Sequence, residues 1–189
     1  DGKSVLFLCF NKLLGDYIKE YFPDNNKNIF VGHFHSFAVK TIQKYSAAWF
    51  KSNANRIHKK NDQDFWDIDV PGELEKVKDE LIKYDSIIID ETQDFKVLWL
   101  EILLQMGHDD STFHLFYDPN QDIFGNMNDL GREKRFTPYL LSRNCRNTKN
   151  IVKELTDIIG KRIDPHEDSP LGDKIIKKIF KTKNQLRDS

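Results

Sequence analysis

The chain is poor in cysteine, in long hydrophobic runs and in charge of one sign. Only Cys9 and Cys145 occur in its 189 residues, which excludes a disulfide scaffold and a cysteine-rich zinc site and favours a reducing cytoplasm. No apolar run approaches the roughly 20 residues that span a bilayer, so we expect no membrane partner. With 29 Lys and Arg against 30 Asp and Glu, whole-surface nucleic-acid binding is excluded, although a local basic groove is not.

What the sequence does contain is an alternation of short apolar runs and helical periods. The runs at 5–10, 29–31, 86–90 and 112–118 predict strands, and 139–141 is a candidate fifth strand. Helical periods lie between them, so the pattern predicts an α/β fold with a mainly parallel sheet flanked by helices. Residues 46–70 are polar and without a clear period, which predicts a surface insertion.

Polar residues follow each of the four predicted strands. In parallel sheets, ligands bind beyond the carboxyl ends of the strands. We therefore expect Asn11, Ser36, Asp90 and Asp118 to lie along one edge. This convergence is the strongest indication of a functional site that the residues give by themselves.

Asp90 and Glu91 end a run of three isoleucines and have two interpretations. An unpaired buried carboxylate is costly, so the two acids lie at the strand end or bind something. In ATPases the first acid holds Mg²⁺ and the second activates water. The alternative is a strand that ends in an acidic loop or at a helix N-cap, and the pair alone does not separate the two interpretations.

Five ordered motifs resemble those of UvrD/Rep-like superfamily 1 DNA helicases. In that family motif II reads Asp-Glu-Ala-Gln-Asp, and residues 90–94 differ from it only at Thr92. Motifs Ia, Ib, III and IV are matched, in order, by residues 8–12, 32–37, 117–121 and 141–148.

The resemblance implies ATP and Mg²⁺ as cofactors and single-stranded DNA as partner. By similarity, Asp90 would coordinate Mg²⁺ and Glu91 would be the general base. Gln121 would sense the γ-phosphate, and Arg146 would reach that phosphate from a second lobe. The DNA path would include four further residues: Phe10, Asn11, His35 and Ser36. The simpler alternatives are a core position for Phe10, a surface turn for Gln121 and a helix-start cation for Arg146.

The sequence also departs from the family. The phosphate-binding loop is absent, because Gly2-Lys3-Ser4 runs into a strand rather than a helix. Motifs V and VI are absent, and Cys145 stands where many members carry a tyrosine. We therefore expect a fragment: residues 1–136 as a partial RecA-like lobe 1A with a shortened insertion at 46–84, and 137–189 as the start of lobe 2A.

Two other functions remain open at this point. A degenerate helicase would be a non-catalytic nucleic-acid-binding module. A metal-dependent nuclease would use clustered carboxylates, here Asp90, Glu91, Asp94 and Asp118, but would leave Gln121 without a role. A metal site at His33 and His35 lacks a third ligand nearby in the sequence.

Overall fold

The computed structural model describes residues 2–22, 28–59, 61–118, 121, 136–137, 139–141 and 143–177. The chain divides into two compact units, Asp1–Arg135 and Phe136–Ser189. The first unit contains β1 (Val5–Cys9), α1 (Lys12–Lys19), β2 (Ile29–His33), α2 (Phe34–Tyr45), α3 (Ala47–Ser52), α4 (Ala54–Ile57), α5 (Val70–Lys76), β3 (Tyr84–Asp90), α6 (Val97–Leu104) and β4 (Gly107–Leu115). The second contains β5 (Arg143–Asn144), α7 (Lys149–Ile159) and β6 (Asp164–Pro165). Within the described residues, no helix combines the length and apolar character needed to cross a membrane.

The first unit is built on a four-stranded sheet of order β2-β1-β3-β4, and all three strand pairings are parallel. The predicted α/β fold with a parallel sheet flanked by helices is confirmed, and it agrees with a partial RecA-like fold. Cys9 at the end of β1 is in register with His33 on one side and Asp90 on the other. The carboxyl ends of three strands therefore stop at the same level.

One face of the sheet supplies the core of this unit. Leu6 and Leu8 of β1 and Ile87 and Ile89 of β3 alternate along their strands and are fully buried. They pack in one cluster with apolar side chains of α2, α5 and α6. On the other face of β1, Phe7 is half-buried and Cys9 is fully buried.

Helix α1 packs on the sheet through small residues rather than through its large apolar ones. A Cβ added at Gly15 would lie 3.1 Å from the Cys9 Sγ and 3.1 Å from a backbone carbon of Gly32. Leu13 and Tyr17, which the helical period places on the apolar face, are 79% and 56% exposed. The predicted apolar stripe of α1 is thus largely outside the core.

The segment 46–70, expected as a polar surface insertion without a clear period, is mostly exposed or half-buried, but it is helical and two of its side chains enter the core. This segment forms α3, α4, a π-helix at Phe65–Asp69 and the start of α5. Phe65 and Val70 are fully buried, and Trp49 stacks on Phe65 with ring centroids 5.7 Å apart. A few aromatic side chains on short helices thus fix the segment to the core.

The second unit differs from the expectation at 139–141. Tyr139, Leu140 and Leu141 form no strand and are strongly exposed. The strand pairing found in the described part of this unit joins β5 and β6, which are parallel and two residues long each. That the two units are lobes 1A and 2A stays a prediction.

Candidate functional site

The carboxyl edge of the sheet brings together most of the residues expected at a site. Phe10 and Asn11 follow β1, Ser36 lies in the first turn of α2 after β2, and Asp90 and Glu91 lie at the end of β3. Because the strands are parallel and in register, these side chains belong to one edge. Burial decreases here, and Phe10 is 48% exposed.

Glu91 has an unusual backbone conformation at this edge. Its φ of 51° and ψ of 48° lie in the left-handed region, and it is the one non-glycine residue with positive φ in the described part of the chain. This conformation costs an L-residue about 1–2 kcal/mol. The following residue, Thr92, is fully buried, and its hydroxyl donates to the Ile89 carbonyl at 3.1 Å.

The Gln93 side chain connects the ends of β3 and β4. Its Nε2 donates to Glu91 Oε2 at 2.6 Å, and its Oε1 accepts from the Asp118 N–H at 3.2 Å. Asp118 Oδ2 accepts in turn from Gln121 Nε2 at 2.8 Å. The structure thus joins Glu91 and Gln121 through hydrogen bonds. Gln93 is a site residue that the sequence did not reveal, although its place within motif II was a signal.

The edge carries negative charge that shifts neighbouring groups. Burial, followed by the charge of Glu91, raises the pKa of Asp94 above its usual range. Burial, with the charges of Asp90 and Asp16, raises the pKa of the Cys9 thiol to about 11. Cys9 is therefore an inert thiol at neutral pH, because the thiolate is the reactive form.

Asn11 has a structural role that the sequence analysis did not assign. Its Oδ1 accepts from the N–H groups of Leu13 and Leu14 at 2.9 and 3.2 Å, which caps the N-terminus of α1. Phe10 lies beside it with its ring edge-to-face on Phe95, centroids 6.2 Å apart. Phe10 is therefore half-exposed at the edge rather than a core residue.

His35 is enclosed by aromatic rings instead of facing the open edge. Its ring is edge-to-face with Trp66 at 5.1 Å and with Trp99 at 4.8 Å between centroids. Its Nε2 lies 3.1 Å from the Trp66 carbonyl of the π-helix, and since a carbonyl only accepts, Nε2 carries the proton. Burial lowers the pKa of His35, although the bond to Trp66 acts in the opposite direction. These contacts favour a packing role.

His33 and Ser36 form the turn into α2. The Ser36 N–H donates to His33 Nδ1 at 3.1 Å, so His33 caps this helix in its neutral form. Burial and the nearby Lys12 lower the pKa of His33. The Ser36 hydroxyl makes no hydrogen bond to the described part of the chain.

Ser4 lies at the amino ends of the strands, whereas Asp90 lies at their carboxyl ends. Its backbone N–H and its hydroxyl donate to Asp85 Oδ2 at 2.6 and 2.8 Å. Strand β1 begins directly after it, and five residues of strand span roughly 16 Å. Ser4 therefore cannot serve as a phosphate-loop serine beside Asp90.

Arg146 belongs to the second unit and is described within it. Its N–H donates to Asn144 Oδ1 at 3.3 Å in the turn that precedes α7. Thr148 caps that helix by accepting from the Ile151 N–H at 3.4 Å. Arg146 and the neighbouring Cys145 are both exposed.

The described carboxylates of the first unit do not gather into a multi-ligand metal centre. Among the described residues, no three His, Cys, Asp or Glu side chains come close enough to hold a metal ion together. Mg²⁺ in phosphate-transfer sites needs only one or two carboxylates, because it keeps several waters. The Asp90–Glu91 pair therefore fits a nucleotide-bound Mg²⁺ better than an all-protein site.

No protein-family model and no curated protein matches the chain.

Proposed function

We propose that this chain carries the Mg²⁺-side carboxylates and the single-stranded-DNA path of an ATP-dependent DNA helicase or translocase that resembles UvrD and Rep. One observation carries the proposal. Aromatic and polar side chains suited to a nucleic-acid strand, Phe10, Asn11 and Ser36, share a sheet edge with Asp90 and Glu91. A nucleotide site and a nucleic-acid path would then be neighbours along this edge.

The proposed roles follow from the chemistry of each side chain. Asp90 would hold Mg²⁺, which neutralises phosphate charge when bound with ATP. Glu91 would orient the attacking water and take its proton. Gln121, joined to Glu91 through hydrogen bonds, would respond to the γ-phosphate. Arg146 would contribute a permanent positive charge from the second unit.

Under this proposal, the loop that binds the phosphates of ATP is not among these 189 residues. The sequence contains no Gly-x-x-x-x-Gly-Lys-Ser/Thr motif. Ser4, the residue that most resembles its last position, is bound to Asp85 at the far edge. We expect the isolated chain to hydrolyse no ATP, and robust hydrolysis by it would contradict this assignment.

DNA binding by the chain is the direct test. Anisotropy of a labelled oligo-dT at low salt should report binding that weakens as salt rises. Phe10→Ala should weaken the affinity about 5- to 150-fold, since stacking on one base contributes about 1–3 kcal/mol. Phe22→Ala is the matched control, because Phe22 is 40% exposed but follows the other end of α1. Absence of binding at low salt would refute the DNA path.

The assignment of Glu91 needs a protein that includes the phosphate loop. In that protein Glu91→Gln should abolish DNA-stimulated ATP hydrolysis, since an amide cannot take the proton from water. Unchanged turnover would remove Glu91 as the base.

The two free cysteines, Cys9 and Cys145, agree with a cytoplasmic location for this motor.

A non-catalytic nucleic-acid-binding module is the second candidate, favoured by the commitment of Ser4 to Asp85. It predicts that the phosphate loop is missing from the natural protein too, and that DNA affinity does not respond to ATP and Mg²⁺. The nuclease alternative has less support, because the described carboxylates form no metal-holding group. Absence of nucleic-acid cleavage by the chain in the presence of Mg²⁺ would exclude it.

A further inference from the structure

The bridge that Gln93 forms is directional at both ends. A carboxylate oxygen only accepts hydrogen bonds and a backbone N–H only donates. The Glu91 carboxylate therefore requires the amide nitrogen of Gln93, and the Asp118 N–H requires its oxygen. Only one orientation of the amide satisfies both partners, so the hydrogen bonds to Glu91 and to Asp118 depend on each other.

The surroundings hold this bridge in place. Gln93 is 1% exposed, so no water competes for its amide group. The Phe116 N–H donates to the Ile89 carbonyl and the Thr92 N–H to the Phe116 carbonyl, both at 2.9 Å. Phe116, directly after β4, is thus joined by backbone hydrogen bonds to the end of β3 and to Thr92, the residue before Gln93, so the gap that the amide spans is held by the backbone.

We propose that Gln93 is a positioning residue, which orients the Glu91 carboxylate and couples it to the Asp118–Gln121 turn. The turn is closed by the Gln121 N–H donating to the Asp118 carbonyl at 3.0 Å and by the side-chain bond between the same residues. A change at Glu91 therefore reaches Gln121 through Gln93 and Asp118. The catalytic meaning of this coupling rests on the proposed function, in which Glu91 activates water.

Nuclear magnetic resonance on the 189-residue chain, without nucleotide or DNA, tests the coupling. Gln93→Met keeps the volume and removes both hydrogen bonds, and it should speed exchange of the Asp118 amide about fivefold, the effect of one ordinary hydrogen bond. Gln93→Glu keeps an acceptor for the Asp118 N–H but places a second carboxylate against Glu91. It should leave Asp118 protected. Gln63→Met is the control, because Gln63 bonds a carboxylate, Asp67, at an exposed site.

A second measurement separates positioning from packing. Glu91→Ala should shift the Asp118 amide resonance in the otherwise native chain and leave it unmoved when Gln93 is Met. Equal shifts in both backgrounds, or unchanged Asp118 exchange in Gln93→Met, would overturn the proposal.

The native chain gives a third measurement that does not depend on folding of a variant. Exchange of the Gln93 side-chain amide should be slow compared with that of Gln63, and equal rates would overturn the proposal. None of these readouts requires DNA binding or hydrolysis. Failure of the helicase assignment is therefore distinguishable from failure of the Gln93 coupling.

Discussion

The Asn11 side chain combines a structural role, which depends on its amide oxygen, with a proposed DNA-binding role, which depends on its amide nitrogen. We call these the structural half and the binding half of the side chain. Its Oδ1 caps α1 through the N–H groups of Leu13 and Leu14. Its Nδ2 has no hydrogen bond to the described part of the chain, so it can donate to a phosphate at the sheet edge. Two substitutions at this position separate the halves.

The magnitudes follow from the cap and from charge. Asn11→Ala removes the cap, which lowers the free energy of unfolding by about 1 kcal/mol and Tm by about 2–4 °C. Asn11→Asp keeps a good cap and adds a favourable charge at a helix N-terminus. It also places a negative charge where a phosphate would pass. Repulsion at about 4 Å in water is about 1 kcal/mol, or roughly fivefold in DNA affinity.

Thermal unfolding and oligo-dT anisotropy measure the two halves on the same samples. We expect Asn11→Ala to lower both Tm and DNA affinity, and Asn11→Asp to lower affinity alone. Gln105→Glu is the charge control, since Gln105 is exposed at the end of α6, just before the start of β4 and thus by the opposite edge. Native DNA affinity in Asn11→Asp would refute the DNA path at this residue, and a native Tm in Asn11→Ala would refute the cap.

Three further predictions concern stability and are read by chemical or thermal unfolding. Gly15→Ala should destabilise the chain by about 1–3 kcal/mol, because the added Cβ meets packed atoms at 3.1 Å. Burial lowers the pKa values of His33 and His35, so the unfolded chain takes up protons first and stability falls as pH drops from about 7 to 5. The double variant His33→Asn and His35→Phe should flatten that slope, and an unchanged slope would refute it. Glu91→Gly removes the bond to Gln93 but relieves the backbone strain, so it should destabilise the chain by about 1 kcal/mol less than Glu91→Ala, which loses the same bond and keeps the strain; equal losses would refute backbone strain at Glu91.

The sheet was predictable because its signals are local. The central strands contain continuous apolar runs, such as 5–10 and 87–89, and helical periods between them imply parallel pairing. The shared edge of polar residues then follows from topology alone. The common edge of Asn11, Ser36 and Asp90 was therefore predictable from the sequence.

The helices of segment 46–70 were not predicted because they are too short to display a period. Helices α3 and α4 have six and four residues, and the π-helix at Phe65–Asp69 interrupts the 3.6-residue repeat. Its anchoring depends on single aromatic side chains such as Trp49 and Phe65. Polar composition around these anchors concealed the contribution of the segment to the core.

The predictions of the buried face of α1 and of a strand at 139–141 failed for a related reason. Periodicity assumes that large apolar side chains mark the buried face, but α1 approaches the sheet through Gly15 against Gly32. At 139–141 the apolar run lacks a strand partner in the described part of its unit. A close backbone approach decided the first case and the lack of a pairing strand the second, and neither is encoded in the local pattern.

The backbone of Glu91 helps to decide between the two interpretations of the Asp90–Glu91 pair. A strand that merely ends in an acidic loop has no reason to hold a glutamate at φ 51°, where glycine or asparagine would be less strained. Here the buried amide of Gln93 donates to the Glu91 carboxylate and the buried hydroxyl of Thr92 donates to the Ile89 carbonyl, so side-chain hydrogen bonds hold the turn in which the strained residue lies. Strain that is retained and compensated at a single carboxylate is typical of functional sites. It favours a chemical role for Glu91 over a loop acid, independently of any family resemblance.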